Sequence, residues 1–375
     1  MQAELYELKP GHVQVNQALQ WDVFSAQGLL LLHKGTMIQS ESQRDRLLER
    51  GMYVNRADIQ KPKVEGQRQP YDPFGEWEQL RRRLVRLNLA LMGVARAPAA
   101  NPALLAELEQ LATRIRVLVA RAPDIAIFEV MQMDPTHYVV AHHLQAAALS
   151  ALVAQALDWS EPRVHDACRV ALTMNIAMLE LQTVLAAQAP PVTAAQREVI
   201  DGHGLQGRRI LEAMGVPDAN WLRAVEEHHP DRLGAGRTAS PLAQMAHHVD
   251  VYLARISPRG YRVAKTPSAA ARELLQHPAM DKALVSTLIK LVGVYPSGTY
   301  VKLANGETAV VVRRGASAHA PCVCSLVSGA GMPLGEPVLR DTALPKYAVA
   351  AIVAKAKVMV RFDRARLFAI TEAVG

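Results

Sequence analysis

A mainly α-helical bundle, with a small α+β module before it and a small β extension after it, is the fold class this sequence predicts. Three observations carry the prediction. From Glu76 to about Leu291 apolar residues recur at three- and four-residue spacing, as in Trp77, Leu80, Leu84, Leu87 and Leu91. Ahead of that stretch, residues 59–75 (IQKPKVEGQRQPYDPFG) are rich in Pro, Gly and polar residues and read as a linker. After Tyr295-Pro296 the pattern changes to short strands, with Asn305-Gly306 as a hairpin signal.

Composition narrows the class. With 375 residues, 50% of them hydrophobic, the chain has material for two or three domains with a sizeable core. Aromatics are 5%, so the core is built of Ala, Leu and Val, and the Ala and Leu content favours helix. The net charge of +7 suits an anionic ligand or partner. Basic residues are not blocked together with interleaved aromatics, so nucleic-acid binding is not expected. The three cysteines, Cys168, Cys322 and Cys324, do not form an even disulfide framework. Cys322-Val-Cys324 lacks the two-residue gap of a zinc ribbon. The N-terminal residues lack the apolar core of a signal peptide, and runs of the ~18 apolar residues of a membrane span are missing. The expected setting is a reducing, bacterial-type cytoplasm.

Each element has its own signals. In residues 1–58, Gln27-Gly28 is a turn before the short strand Leu29–Leu32, and Ser40 caps a helix through Leu47 and Leu48 that Gly51 ends. Met52–Val54 then resume as strand. In residues 76–295 the expected helices are Glu76–Leu91, Pro102–Val119, one from Asp124 to Met133, Tyr138–Leu157, Arg163–Leu185, one capped by Thr193 and reaching Met214, Trp221–His229, Pro241–Ile256, Ser268–Gln276 and Asp281–Val292. Arg81-Arg82-Arg83 reads as a solvated face. In residues 296–375 the strands are Thr299–Leu303, Ala309–Arg313 and Cys322–Val327, and the pattern leaves 346–372 open between helix and strand.

Five possible metal ligands lie along the helices: His142, His203, His228, His229 and Asp250. Neutral imidazole suits Fe, Zn, Ni and Cu, while carboxylate suits harder ions. Adjacent residues diverge by about 100° on a helix, so His228 and His229 can ligate together only at a helix end, where Pro230 indeed follows. For His142-His143 and His247-His248, inside regular helices, one member of each pair can face inward but not both.

The order His142, Met174-Asn175, His203, His228-His229, Asp250 resembles the HD-GYP family, the cyclic di-GMP phosphodiesterases of the HD superfamily. The resemblance also rests on Tyr138-Val-Val-Ala-His142, Gly207, Ile210-Leu211, Gly234-Ala235-Gly236, Ala246-His247-His248-Val249-Asp250-Val251-Tyr252, Arg259-Gly260-Tyr261-Arg262 and Tyr295-Pro296-Ser297-Gly298, and covers residues 76–330. It implies an HD-superfamily helical bundle. It also implies that the namesake His-Asp pair falls on Met174 and Asn175, so that one metal position keeps only His142 and Asp250, whereas the other keeps His203, His228 and His229. Where some members carry a further ligand Glu, this chain has Tyr138. The Gly-Tyr-Pro element is replaced by Gly236-Arg237-Thr238, and the Glu after the histidine pair by Pro230. Arg259 and Arg262 stand where the family meets substrate phosphate, and guanidinium forks suit phosphate oxygens. His165-Asp166 lies outside the matching run.

The expectation is a degenerate signalling protein without phosphodiesterase activity, with no confident catalytic residue. It would bind one divalent transition metal (Fe, Mn, Zn or Ni) or none, and would sense cyclic di-GMP or scaffold a signalling partner, as monomer or homodimer. Two readings compete with it: an active metal-dependent phosphodiesterase with a remodelled site, and a purely structural or partner-binding helical domain.

Overall fold

A computed structural model describes residues 5–8, 13, 15, 18–49, 52–55, 71–132, 138–234, 236–258 and 264–372. The chain divides into two compact units, Met1–Tyr71 and Asp72–Gly375.

The first unit holds a four-stranded sheet in the order β1-β4-β2-β3, made of β1 (Leu5–Glu7), β2 (Val23–Phe24), β3 (Leu30–Leu32) and β4 (Tyr53–Asn55). The turn at Gly28 has φ +79°, a left-handed conformation that glycine adopts without cost. Helix α1 (Glu41–Glu49) starts where the sequence indicates, because the Ser40 hydroxyl accepts from the Gln43 amide at 3.2 Å. Val23, Ile38, Met52 and Val54 form a small core of their own. Gly51, expected to end the helix, lies outside the described residues.

The second unit is a helical bundle: α2 (Pro73–Arg96), α3 (Pro102–Arg121), α4 (Pro123–Gln132), α5 (Tyr138–Ala156), α6 (Glu161–Thr173), α7 (Leu179–Ala187), α8 (Ala194–Met214), α9 (Ala219–Glu227), α10 (Pro241–Ile256), α11 (Pro267–Gln276) and α12 (Lys282–Val292). Its boundaries follow capping chemistry. Asp72, Asn101, Ser240 and Thr266 each accept from a backbone amide with Pro following at the start of the helix, and Thr193 forms a capping box with Gln196. Asp124 differs from expectation: α4 starts before it, and its carboxylate faces Arg314 at 3.6 Å. Only part of the Arg81–Arg83 run is a solvated face, since Arg83 crosses to Glu107 and Gln110 on α3.

Helix α5 is the axis of the bundle. Helices α2, α3, α4, α6, α10 and α12 pack around it, and almost all its residues are buried. A helix covered on every side needs no polar face, and this overturns the expectation about paired histidines. His142 and His143 are both buried, the first facing Asp250 and the second Asn88. His247 and His248 are both buried as well. Two stretches, Tyr138–Ala156 and Glu161–Ala187, are long and apolar enough to cross a membrane by composition, and 83% and 61% of them are buried within the protein. The helix expected over Arg163–Leu185 is broken. Helix α6 stops at Thr173, and a 3-10 turn, Ile176–Met178, precedes α7.

After α12 comes a five-stranded sheet in the order β8-β7-β6-β5-β9: β5 (Tyr300–Leu303), β6 (Thr308–Ser317), β7 (Ala320–Val327), β8 (Pro333–Asp341) and β9 (Val349–Val353). Sequence patterning missed β8, which carries two prolines and a glycine and has no fully buried residue. The open segment 346–372 contains both kinds of element, β9 and the helix α13 (Arg364–Glu372). One face of the sheet packs with Leu367 and Phe368 of α13 on Phe128 of α4. Gly298 has φ +90°, and a Cβ there would stand 2.7 Å from the Phe128 carbonyl, so glycine is what lets the chain pass. The buried Glu129 carboxylate takes two bonds of 2.6 Å from Arg364, tying α13 to α4. Burial pushes that carboxyl up to about 7 against the pull of Arg364.

Candidate metal centre

Three elements meet to build the centre. Helix α8 carries His203 beside Gly204, and Gly207 follows on the same face. A Cβ at Gly204 would lie 2.7 Å from the Glu226 carbonyl, and one at Gly207 would lie 3.2 Å from Val225 and 3.4 Å from Ile176. The two glycines therefore bring α8 close to the end of α9 and to the turn after α6. Helix α9 stops at Glu227, so His228 is its last-turn cap and His229 leaves the helix with φ −115°. That change of direction lets adjacent residues converge, as Pro230 indicated.

The result is a cluster in which one ligand atom from each of His203, His228 and His229 lies within 4.8 Å of the others. The tautomers follow from the hydrogen bonds. His203 Nδ1 lies 2.6 Å from the Ile200 carbonyl and His228 Nδ1 lies 2.7 Å from the Val225 carbonyl. Carbonyls only accept, so both Nδ1 atoms carry the proton and both Nε2 atoms present lone pairs. Those Nε2 atoms face each other at 2.9 Å. Two lone pairs at that separation repel unless a cation lies against them. Burial, the largest cause, lowers the pKa of all three imidazoles, His229 to about 4, and keeps them in the neutral, ligating form. The donor set fits a divalent transition ion.

The other predicted donors form a separate pair. His142 Nε2 lies 2.7 Å from Asp250 Oδ1. Burial opposes ionisation of Asp250, but the hydrogen bond to His142 holds its carboxyl below the usual range. Met174 caps α6 and is fully buried within the main core, and Asn175 is 2% exposed with Nδ2 unpartnered. A thioether and a neutral amide bind hard ions poorly, so this half does not fit a second ion. Tyr138 stacks on His142, with ring centroids 5.4 Å apart.

In the altered loop, Arg237 pairs with Glu226 at 2.9 Å, and Glu227 accepts from the Ser240 amide at 2.8 Å. His165 and Asp166 serve an ion-pair network with Glu109 and Arg169, apart from the cluster. Arg259 and Arg262 lie outside the described residues. Sequence reasoning named His247 only in the His247-His248 pair and not among the possible ligands; its ring is 5.5 Å from that of His229. Its spacing three residues before Asp250, on the same helical face, was the available signal.

No family model matches this sequence. It is 25% identical over 217 residues to the cyclic di-GMP phosphodiesterase PA4108 of Pseudomonas aeruginosa, covering 56% of this chain and 52% of that protein. The chain thus spans about half the length of this curated relative. Among solved structures it is similar to Bd1817, an HDG"Y"P protein from Bdellovibrio bacteriovorus, at 14% identity and a TM-score of 0.45, covering 77% of this chain and 99% of that one. In its residue pattern the chain resembles the HD-GYP proteins, and it is similar to the Pseudomonas protein over about half of each chain.

Proposed function

We propose that this chain is a degenerate HD-GYP-type signalling protein that binds cyclic di-GMP without hydrolysing it and relays or scaffolds the signal through a protein partner. The observation that carries this reading is the contrast between the two halves of the site. Three neutral imidazoles remain poised for one ion, whereas the buried Met174 and Asn175 stand where the resemblance puts a metal-bridging pair.

Hydrolysis of a phosphodiester needs a water made nucleophilic near neutral pH, which a bound metal supplies. One ion would be held by His203, His228 and His229. Asp250, kept ionised beside His142, would accept a proton or orient a water. Loss of a single well-placed electrostatic group costs roughly 10²–10³ in rate, and two donors are replaced here. Arg259 and Arg262 would take the nucleotide phosphates. A second reading, slow hydrolysis at a single-ion site, draws support from Asp250 alone.

The test pairs elemental analysis of untagged protein, purified without chelator, with a cyclic di-GMP titration on the same sample. One metal or none, with nucleotide bound and uncut, is the expected result. An Arg259→Ala/Arg262→Ala double variant should lose that binding. Two metals per chain with turnover would overturn the proposal.

A further inference from the structure

We infer that His247 is a fourth imidazole of the metal centre, so that a single ion is held by His203, His228, His229 and His247. This inference rests on the three-histidine centre proposed above and adds a donor to it.

His247 stands on α10 three residues before Asp250, one turn away on the same face. It is 9% exposed, and its Nδ1 is buried without a hydrogen-bond partner. Its ring meets that of His229 edge-on, with centroids 5.5 Å apart and planes at 83°. The rings of His203, His228 and His229 are 4.4 to 5.0 Å apart. His247 stands at their edge, outside the trio whose ligand atoms lie within 4.8 Å of one another, and a bound ion would have to draw it in.

Its neighbour His248 supplies the contrast. His248 donates from Nδ1 to the Gln244 carbonyl and accepts the Asp281 amide at Nε2, at 2.6 and 2.7 Å. That imidazole is fully used in holding α10 to the start of α12. His247 has a buried nitrogen to which the described residues offer no partner. Buried polar atoms are almost always matched, and an ion in the adjoining cluster would match this one. A donor gained on α10 would offset donors lost at Met174 and Asn175, turning a two-ion site into a one-ion site rich in nitrogen. Such a set favours copper, nickel, cobalt or zinc over magnesium or manganese.

Cobalt(II) added to the full chain tests this. Its visible absorption follows binding, and X-ray absorption at the cobalt edge counts imidazole ligands on the unmodified protein. One cobalt ion with four imidazoles is expected. His247→Gln should bind it about tenfold more weakly or worse, with altered bands. Three imidazoles in the unmodified chain, or parental affinity and spectrum in His247→Gln, would overturn the inference and leave the three-histidine centre standing. Failure of the unmodified chain to bind cobalt would overturn both.

Discussion

The two halves of the proposed site differ in kind. Around His203, His228 and His229, backbone carbonyls fix the ring tautomers, glycines bring the helices together, and a helix end turns adjacent histidines toward one point. In the turn after α6 stand a buried methionine, Met174, and an asparagine, Asn175, with an unpartnered amide nitrogen. The first half gathers three imidazoles, and the second is packed as core. Under the proposed function, one scaffold holds an ion on one side while the side chains on the other serve packing.

The largest expected effect breaks the organised half. His228→Ala should weaken divalent-metal binding by more than about 100-fold, measured by cobalt or zinc titration. Unchanged affinity would mean that the facing Nε2 atoms are an accident of packing. The proposed correspondence of Met174-Asn175 can be tested by substitution. Met174→His with Asn175→Asp should add a second metal per chain by elemental analysis, and the parental metal content would show that these positions do not correspond to the family's pair.

A smaller effect tests the scaffold. Gly204→Ala sets a Cβ 2.7 Å from a backbone carbonyl, so denaturant unfolding should show a loss of about 1–3 kcal/mol, together with weaker metal binding. Equal stability to the parent would free α8 from the close approach argued above.

The smallest effect lies away from the site. Glu129 has its carboxyl raised from 4.5 to about 7, so the folded protein binds a proton more tightly than the unfolded chain. This contribution is fully present below pH 4.5 and is lost as pH rises through 7. Stability should gain about 1.5 kcal/mol between pH 7 and about 5.5 from this group. Glu129→Gln should remove that gain, measured as melting temperature against pH, and an identical profile in both proteins would remove Glu129 as its source.

Helix identity was legible because capping residues, prolines and apolar spacing are local signals. Thr193 with Gln196 is a capping box in the sequence as it is in the fold. The convergence of His228 and His229 was legible too, since Pro230 marks the helix end. The burial of both members of His142-His143 was not. Sequence periodicity assumes a helix with one wet side, and α5 has none. The break after Thr173 was hidden because Ile176, Met178 and Leu179 are as apolar as the helices on either side.

By itself the sequence determined the class of fold, the order of possible donors along the chain and the presence of Met174-Asn175 among them, because these depend on residue type and short-range spacing. Only the tertiary structure decided which donors meet. His142 goes to Asp250, the three histidines go to each other, and His247 joins their edge. Those meetings depend on how closely helices far apart in sequence can pack, and that distance is set by residues such as Gly204 and Gly207 that carry no chemistry of their own.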